Sequence, residues 1–466
     1  VYSLSAKIFA RISPIAFFKG AGAAMIFAFT SASSVATLPV SKECADKMGA
    51  ENDVSSFVLP LGATINMDGL SLLLTVSTIF FAKVFGFGSE KVDYDVLVRA
   101  SSSYKTVQDI DGENVYVLPL TDPTLTEAKD KLQEEAKVEY EIVDTDGPGI
   151  CNGLIDGQYD VVLLNDANYE TLCDENSKYK EEIKILYTIS VTREVKSNKE
   201  VDVAKEPFNV LISGNDTEGE IADVAKSDVN MIMTVNPLSR EIRLTSIPRD
   251  YYVYVPGIAA YDKLTHTGNF GVDETAASLE NLLGIDINYY VKVNFTCVVE
   301  LVDAIGGIDV ESDYDFVTSG RQNEGYQFHK GTNHCDGAHA LAFSRERHAF
   351  AGGDNQRIIH QQKVTEAMIK KCTNSAVILT RYAGILSAID DYMKTNMSSR
   401  NVKKLAKLQL SNMSGWKITK ASLTGEGATS TVYSLGSQAC YVMMPDNVSV
   451  SEASDGIHSI MKHGKK

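Results

Sequence analysis

Positive charge is in short supply in this chain. Its 466 residues carry 44 Lys and Arg against 61 Asp and Glu, a formal charge of −17 at pH 7. The general field of such a protein repels polyanions, so no nucleic-acid partner is expected. A phosphate-bearing ligand would have to be held by a local exception, clustered arginines or a metal ion. Several catalytic signatures are also missing. No GxSxG, Walker A or HExxH pattern occurs, which argues against a hydrolase triad, a P-loop NTPase and a zincin. The seven cysteines include no CxxC pair. His334, Cys335 and His339 in NHCDGAH have the composition of a metal cluster, but their spacing fits no established zinc pattern.

Charge is scarcest of all near the N-terminus. From Phe57 to Ala82 only Asp68 is charged, and such a stretch would span the ~30 Å hydrocarbon layer as a helix. Ala21 to Ala36 is a second apolar run of small residues, and a secretory signal does not fit a run this long with an internal Asp. The stretch TSASSVATLPV followed by FVLPLGATINMDG resembles the first re-entrant hairpin and broken helix of the sodium:dicarboxylate (glutamate-type) symporters. The resemblance implies that Ser33 and Ser34 approach a substrate carboxylate and that Thr64, Asn66, Met67 and Asp68 line sodium sites. Val35 and Leu70 depart from the pattern, standing where a serine and a threonine are usual. Only about residues 1–88 are covered, and half a binding site cannot couple an ion to a substrate. The expectation is a helical membrane fragment serving as an anchor in membrane lipid, with everything after about residue 88 on the extracellular face. Lys42 and Lys47 before the span agree with that orientation. The alternative is a truncated symporter-related membrane protein, or a fusion whose first part does not transport.

The remainder reads as soluble α/β. Residues 89–195 alternate strand and helix patterns: VDYDVLVRA, ENVYVLPL and GQYDVVLLND as strands, LTEAKDKLQEEA and ANYETLCDE as helices. TVQDIDGENVYVL and LIDGQYDVVLLND are similar to segments of periplasmic solute-binding domains, although a structural spacer is the favoured reading. Residues 196–206, polar apart from valines, are the expected linker.

From residue 207 the chemistry concentrates. PFNVLISGND delivers Asp216 into a turn, Asp228 opens the next strand, and IRLTSIPRD ends one with Arg249 and Asp250 behind it. Residues at strand ends are what an α/β sheet offers to a ligand crevice, and two carboxylates there suit Mg²⁺. The run SRERHAFAGGDNQRIIHQQ adds more. If Gly352-Gly353 opens a helix, Asp354, Arg357 and Gln361 share one of its faces, and Arg345 and Arg347 share a face if their piece is extended. Clustered guanidiniums suit a phosphate or diphosphate held by forked donors.

These motifs, with KSDVNM, KLTHTGNFGV, NYYVKVNFT and LVDAIGGIDV in order, resemble the LytR-CpsA-Psr family of envelope glycopolymer transferases over about 207–466. The resemblance implies an α/β domain with a central mixed sheet flanked by helices, a catalytic core over 207–373 and a C-terminal part over 374–466. It implies a phosphotransferase moving a glycopolymer from a polyprenyl diphosphate carrier to peptidoglycan. Arg249, Arg345, Arg347 and Asp354 would be catalytic, and Arg249, Arg345, Arg347, Arg357 and Gln361 would bind the diphosphate. Asp216 and Asp228 would hold Mg²⁺. Glu218 departs from the family, where an arginine is frequent.

The general base is left open between Asp354 and Asp250, with orientation of an arginine preferred for Asp354. LENLLGI and CVVELVDAIGGI are apolar enough to wall a lipid tunnel, with core packing the commoner outcome. His266 is expected to be structural or an acceptor-side contact. Outside the cell six cysteines could pair, leaving Cys44, and Cys151 with Cys173 is a plausible pair by proximity. Helices around 375–393 and 399–413, strands at WKITKASLTG and ACYVMMPD and a closing helix are expected in the tail. Lys403, Lys404 and Lys407 would form a small basic face.

Overall fold

A computed structural model describes residues 14–31, 34–48, 50, 55–56, 89–119, 123–195, 200–319, 325–350, 353–373, 384–385, 388–412 and 414–462. The chain divides into two compact units, Val1–Val84 and Phe85–Lys466.

The first unit contains helices α1 (Pro14–Ser31) and α2 (Ser34–Lys47). α2 is held by ion pairs one turn apart, Lys42 to Asp46 at 3.4 Å and Lys47 to Glu43 at 2.6 Å. Among the described residues no helix is long and apolar enough to cross a membrane. The expected span at 57–82 lies outside the described residues, as do Ser33, Thr64, Asn66, Met67, Asp68 and the side chain of Ser34.

The second unit is built on two sheets. The first uses β1 (Ser89–Arg99), β2 (Asn114–Val117), β3 (Glu139–Ile142), β4 (Val161–Asn165) and β5 (Ile183–Glu194) in the order β3-β2-β4-β1-β5. Helices α3 (Pro123–Glu135), α4 (Gly147–Ile155) and α5 (Asp166–Glu175) connect them. β4 is buried along its whole length, as expected for the central VVLLN run. β2 runs parallel to β3 and β4, whereas β1 is antiparallel to β4 and β5.

The larger sheet is mixed. In chain order its strands are β6 (Phe208–Gly214), β7 (Val229–Asn236), β8 (Glu241–Ile247), β11 (Tyr289–Val293), β16 (Met393–Thr395) and β17 (Lys417–Ser422), and in space β16-β11-β6-β7-β8-β17. Between them lie the hairpin β9 (Tyr252–Val255) with β10 (Ala260–Lys263), and β12 (Ile308–Ser312), β13 (Phe316–Val317), β14 (Gln327–Phe328) and β15 (Gly331–Cys335). The tail adds the hairpin β18 (Gly425–Thr431) with β19 (Ala439–Pro445). The longer helices of the rest of the unit are α6 (Val272–Leu283), α7 (Phe295–Ala304), α8 (Gly337–Arg345), α9 (Asp354–Cys372), α10 (Ser399–Ser411) and α11 (Asn447–Lys462). The expected α/β class and central mixed sheet are therefore present. β17 from the tail completes the sheet beside β8, so the tail is structurally part of it.

Two details differ from the reading of the sequence, and a third agrees with it. Val203, inside the expected linker, is fully buried against Phe208, Val210 and Tyr289, because a valine beside a sheet gains more from packing than from water. Cys151 and Cys173 form no disulfide: all seven cysteines are free thiols, and six of them are buried. Both residues pack in one core with Ile150, Leu154 and Leu172, and burial pushes the Cys151 thiol up to about 12. In LENLLGI and CVVELVDAIGGI, Leu279, Leu283, Ile285, Val302, Ile305 and Ile308 belong to hydrophobic cores, the outcome favoured for most of these residues.

Candidate functional site

The alternation of strand and turn brings the motifs together at one edge of the large sheet. β6 and β7 are antiparallel with Gly214 opposite Val229, so the residue pairs just beyond each strand, Asn215-Asp216 and Ser227-Asp228, emerge side by side. A buried polar network fixes that edge. Ser213 Oγ meets Ser227 Oγ at 2.7 Å, Ser227 Oγ bonds Asn230 Oδ1 at 2.8 Å, and Asn230 Nδ2 donates to Ser227 O at 2.8 Å. Every member is satisfied, and such networks hold one geometry. Gly268 of the TGN motif lies so close that a Cβ there would sit 2.3 Å from Ala225 O, so only glycine lets this backbone approach.

The arginine motif arrives from the other side. Arg345 is the last residue of α8 and its guanidinium lies 4.2 Å over the Phe295 ring, a cation–π contact. Arg345 thus ends the helix, and Glu346 after it is extended at φ −65 and ψ 127, so the expected extended piece is present from Glu346 onward. Glu346 between them is buried and accepts from Ser319 N at 2.7 Å and Ala349 N at 2.8 Å, which turns the chain and leaves both arginines on the cavity. Gly353, at φ 48, precedes α9, as the glycine pair predicted. Arg357 and Gln361, one turn apart, both face the cavity, while the side chain of Asp354 lies outside the described residues.

The result is a cavity of about 440 Å³ lined by Asn215, Asp216, Asp228, Arg249, Arg345, Arg347, Arg357 and Gln361, with Phe295, Ser319 and His348 at its wall. All the residues expected to bind a diphosphate and metal converge there. Asp250 does not line it: its carboxylate sits 3.7 Å from Lys263 Nζ and 3.8 Å from Arg249 Nε. Glu218 is exposed in the loop beyond Asp216.

Asn215, Ser319, His348 and Phe295 were missed by sequence reasoning. Asn215 lines the cavity at 4 % exposure, and among the described residues its buried Nδ2 has no hydrogen-bond partner. The GND tripeptide was the available signal for it.

Asp228 accepts from Arg249 Nη1 at 2.6 Å. Asp216 is solvent-accessible at the rim but makes no ion pair among the described residues. Loss of surrounding water, and then the negative charge of Asp228, raise its carboxyl above the usual range. Mg²⁺ fits this donor set. It is bound through one or two carboxylates, with phosphate oxygens and waters completing its sphere, and a cation would relieve the repulsion that Asp216 experiences. No group of three or more metal-ligating side chains occurs among the described residues, so a site closed by protein alone is not what this edge offers.

The other candidates have ordinary roles. His334 Nδ1 pairs with Asp309 at 2.7 Å, His339 Nδ1 pairs with Asp336 at 2.7 Å, and Cys335 is buried in the core between them. His266 and Asp262 are buried with Ser434, a trio that resembles a hydrolase triad by composition. Both partners meet the same ring nitrogen, however: Asp262 Oδ1 lies 2.8 Å and Ser434 Oγ 2.7 Å from His266 Nδ1. A general base needs acid and nucleophile on opposite nitrogens, so this trio fixes the Ser434 segment and does not activate it.

Residues 174–449, more than half of the chain, match the LytR_cpsA_psr family. The chain belongs to the LytR-CpsA-Psr family. Residues 1–93 match the sodium:dicarboxylate symporter family. A protein of Bacillus anthracis (strain CDC 684 / NRRL 3495) named polyisoprenyl-teichoic acid–peptidoglycan teichoic acid transferase TagU is 40% identical over 194 residues, 41% of this chain and 61% of its own length. An Enterococcus faecalis (strain ATCC 700802 / V583) protein of the same name is 40% identical over 205 residues, 43% of this chain and 65% of its own. The chain thus spans under two thirds of the length of these relatives. The crystal structure of B. subtilis TagU aligns at 29% identity and a TM-score of 0.44, covering 56% of this chain and 99% of that one.

Proposed function

We propose that this LytR-CpsA-Psr chain is a phosphotransferase of cell-wall assembly that moves a glycopolymer from a polyprenyl diphosphate carrier to peptidoglycan. The observation that carries the reading is the convergence of Arg249, Arg345, Arg347 and Arg357 with Asp216 and Asp228 on one cavity, in a chain whose net charge is −17. The names of its relatives, which join a polyisoprenyl-linked teichoic acid to peptidoglycan, support the same chemistry. In the reaction an acceptor hydroxyl oxygen attacks the phosphorus bearing the glycan. The new P–O bond forms as the bridging P–O bond breaks, polyprenyl phosphate leaves, and the hydroxyl proton passes to solvent.

Phosphoryl transfer depends on positioning and charge neutralisation, which is what forked guanidiniums and a buried amide supply. Arg345 is aimed by Phe295 and by the α8 terminus, Arg347 by the Glu346 turn, and Arg357 and Gln361 by one face of α9. Arg249 is held by Asp228, and Asn215 Nδ2 adds a neutral donor. Asp216 and Asp228 would hold Mg²⁺, which when bound neutralises diphosphate oxygens. Asp250, set between Lys263 and Arg249 and away from the cavity, is not placed to take the acceptor proton. The N-terminal unit is read as the anchor in membrane lipid, with residues after about 88 on the extracellular face. The span at 57–82 and the likeness of residues 1–93 to symporters support that placement.

The test uses the full chain in detergent, a polyprenyl diphosphate-linked saccharide, peptidoglycan and Mg²⁺. Transfer is expected from the wild type, and a fall on the order of 10³ in rate from Arg345→Ala or Arg347→Ala with unchanged melting. Equal binding of the lipid diphosphate by both variants and the wild type would rule out the assigned cavity.

A further inference from the structure

A second cavity, of about 490 Å³, lies at the seam between the smaller sheet's layer and the hairpins of the larger one. That volume is in the range of small-ligand clefts, ~300–1,000 Å³. One wall comes from the segments before α4 and within α5, with Thr145, Asp146 and Asn168. The other comes from the β9–β10 hairpin and the segment after β18, with Tyr252, Tyr261 and Tyr433.

The walls are fixed relative to each other. Ile150, Cys151, Leu154 and Leu172 share one core with Val432, Leu435, Cys440 and Val442. Ser437 N donates to Asp146 Oδ2 at 2.9 Å and Asn269 Nδ2 to Thr171 Oγ1 at 2.8 Å across the seam. The Asp262–His266–Ser434 trio pins the stretch that carries Tyr433. A site with pre-set walls loses little to ordering when it binds.

The chemistry of the cleft is the reverse of the arginine cavity. No Lys or Arg lines it among the described residues, and its one carboxylic acid there is Asp146. An anionic polymer therefore has nothing to hold it there. Tyr252 and Tyr261 stack at 5.1 Å with planes 19° apart, and Tyr261 remains 51% exposed. Tyr433, packed on Phe270 at 6.1 Å, is also exposed. Rigid aromatic faces left in water beside a few hydrogen-bonding groups suit a ligand with C–H faces and hydroxyl edges.

We infer that this seam cleft binds an uncharged pyranose saccharide, its ring faces against Tyr261 and Tyr433 and its hydroxyls on Thr145, Asp146 and Asn168. The site is separate in residues and charge from the diphosphate cavity and does not depend on that assignment.

The full chain is titrated with a tetramer of N-acetylglucosamine and followed by saturation-transfer NMR and calorimetry, with Tyr261→Ala, Tyr433→Ala and Arg345→Ala in parallel. Binding is expected for the wild type and for Arg345→Ala with equal affinity, and at least tenfold weaker for both tyrosine variants, which keep the wild-type melting temperature and lipid diphosphate affinity. No wild-type binding, undiminished binding by both tyrosine variants, or displacement of the saccharide by uncharged peptides of similar size would overturn the inference. Loss of diphosphate binding in Arg345→Ala with saccharide binding intact separates the two sites.

Discussion

Acidification should strike the helix that carries Arg357 and Gln361, through His360. This imidazole is 1% exposed and ringed by Phe343 at 4.2 Å, Phe350 at 5.1 Å and Phe316 at 5.5 Å between centroids. Its Nδ1 faces Phe343 O at 3.1 Å and so carries the proton, while Nε2 lies 3.0 Å from Gln356 Nε2 and accepts. The neutral ring is satisfied on both sides. Burial, and then the charge of Lys363, lower its pKa from 6.5 to about 4. Because the unfolded chain takes up the proton first, stability is present above 6.5 and is lost as pH falls through the folded value. At about 1.4 kcal/mol per pH unit the loss amounts to about 2 kcal/mol by pH 5 and about 3 kcal/mol at pH 4. The assay is urea denaturation of the wild type and His360→Phe at pH 7, 5 and 4. The variant carries a constant offset from the lost hydrogen bonds but not the titration, so the wild type should lose about 2 kcal/mol more than the variant between pH 7 and 5. Parallel losses would show that the ring is solvated or already charged in the folded protein.

Three further outcomes are expected. Arg193 joins β5 to the nearly buried Glu90, at 2.7 Å, and to Asp273 in the first turn of α6; Arg193→Met should cost about 3–5 kcal/mol by denaturant melts, and adding Glu90→Gln should recover part of it. Lys292, 2% exposed on β11, has its ammonium pKa lowered by burial to about 8. Its unfolded form stays protonated to about 10.5, so wild-type stability should rise between pH 8 and 10.5, by up to about 3 kcal/mol, and Lys292→Met should abolish that rise; identical pH profiles would contradict it. Gly268→Ala would press a Cβ onto Ala225 O and Ser227 N, backbone atoms that cannot yield cheaply, so about 1–3 kcal/mol of stability and measurable lipid diphosphate affinity should be lost; unchanged binding would show that the Asp228 edge adjusts.

How far the site could be read in advance depended on how local its causes were. Arg357 and Gln361 share a face because helical periodicity is a property of neighbouring residues, and Gly353 marks the entry by its own backbone freedom. Asp216, Asp228 and Arg249 were legible for a similar reason: each follows or precedes an apolar run that makes an obvious strand, and strand ends collect at a sheet edge. Arg345 and Arg347 converge for a cause the spacing did not contain. Glu346, buried against the amides of Ser319 and Ala349, stops the helix and turns the chain, and a carboxylate between two arginines reads as surface until its partners are known.

The seam cleft was illegible for a stronger reason. The Asp146–Ser437 bond joins residues 291 apart, and Cys151 finds its core partners in Val432 and Val442. Nothing in the local pattern of either segment requires the other. The same long-range packing absorbed Val203 from an expected linker and placed Cys151 and Cys173 in one core as free thiols. Burial of that kind makes the smaller sheet part of one fold with the larger, joined further by Lys226 to Asp174 at 2.6 Å and by Lys91 N to Asp223 at 2.6 Å. Such ties fix the two walls of the cleft, because a gap between loosely joined bodies could not hold three tyrosine rings in fixed register against Thr145, Asp146 and Asn168.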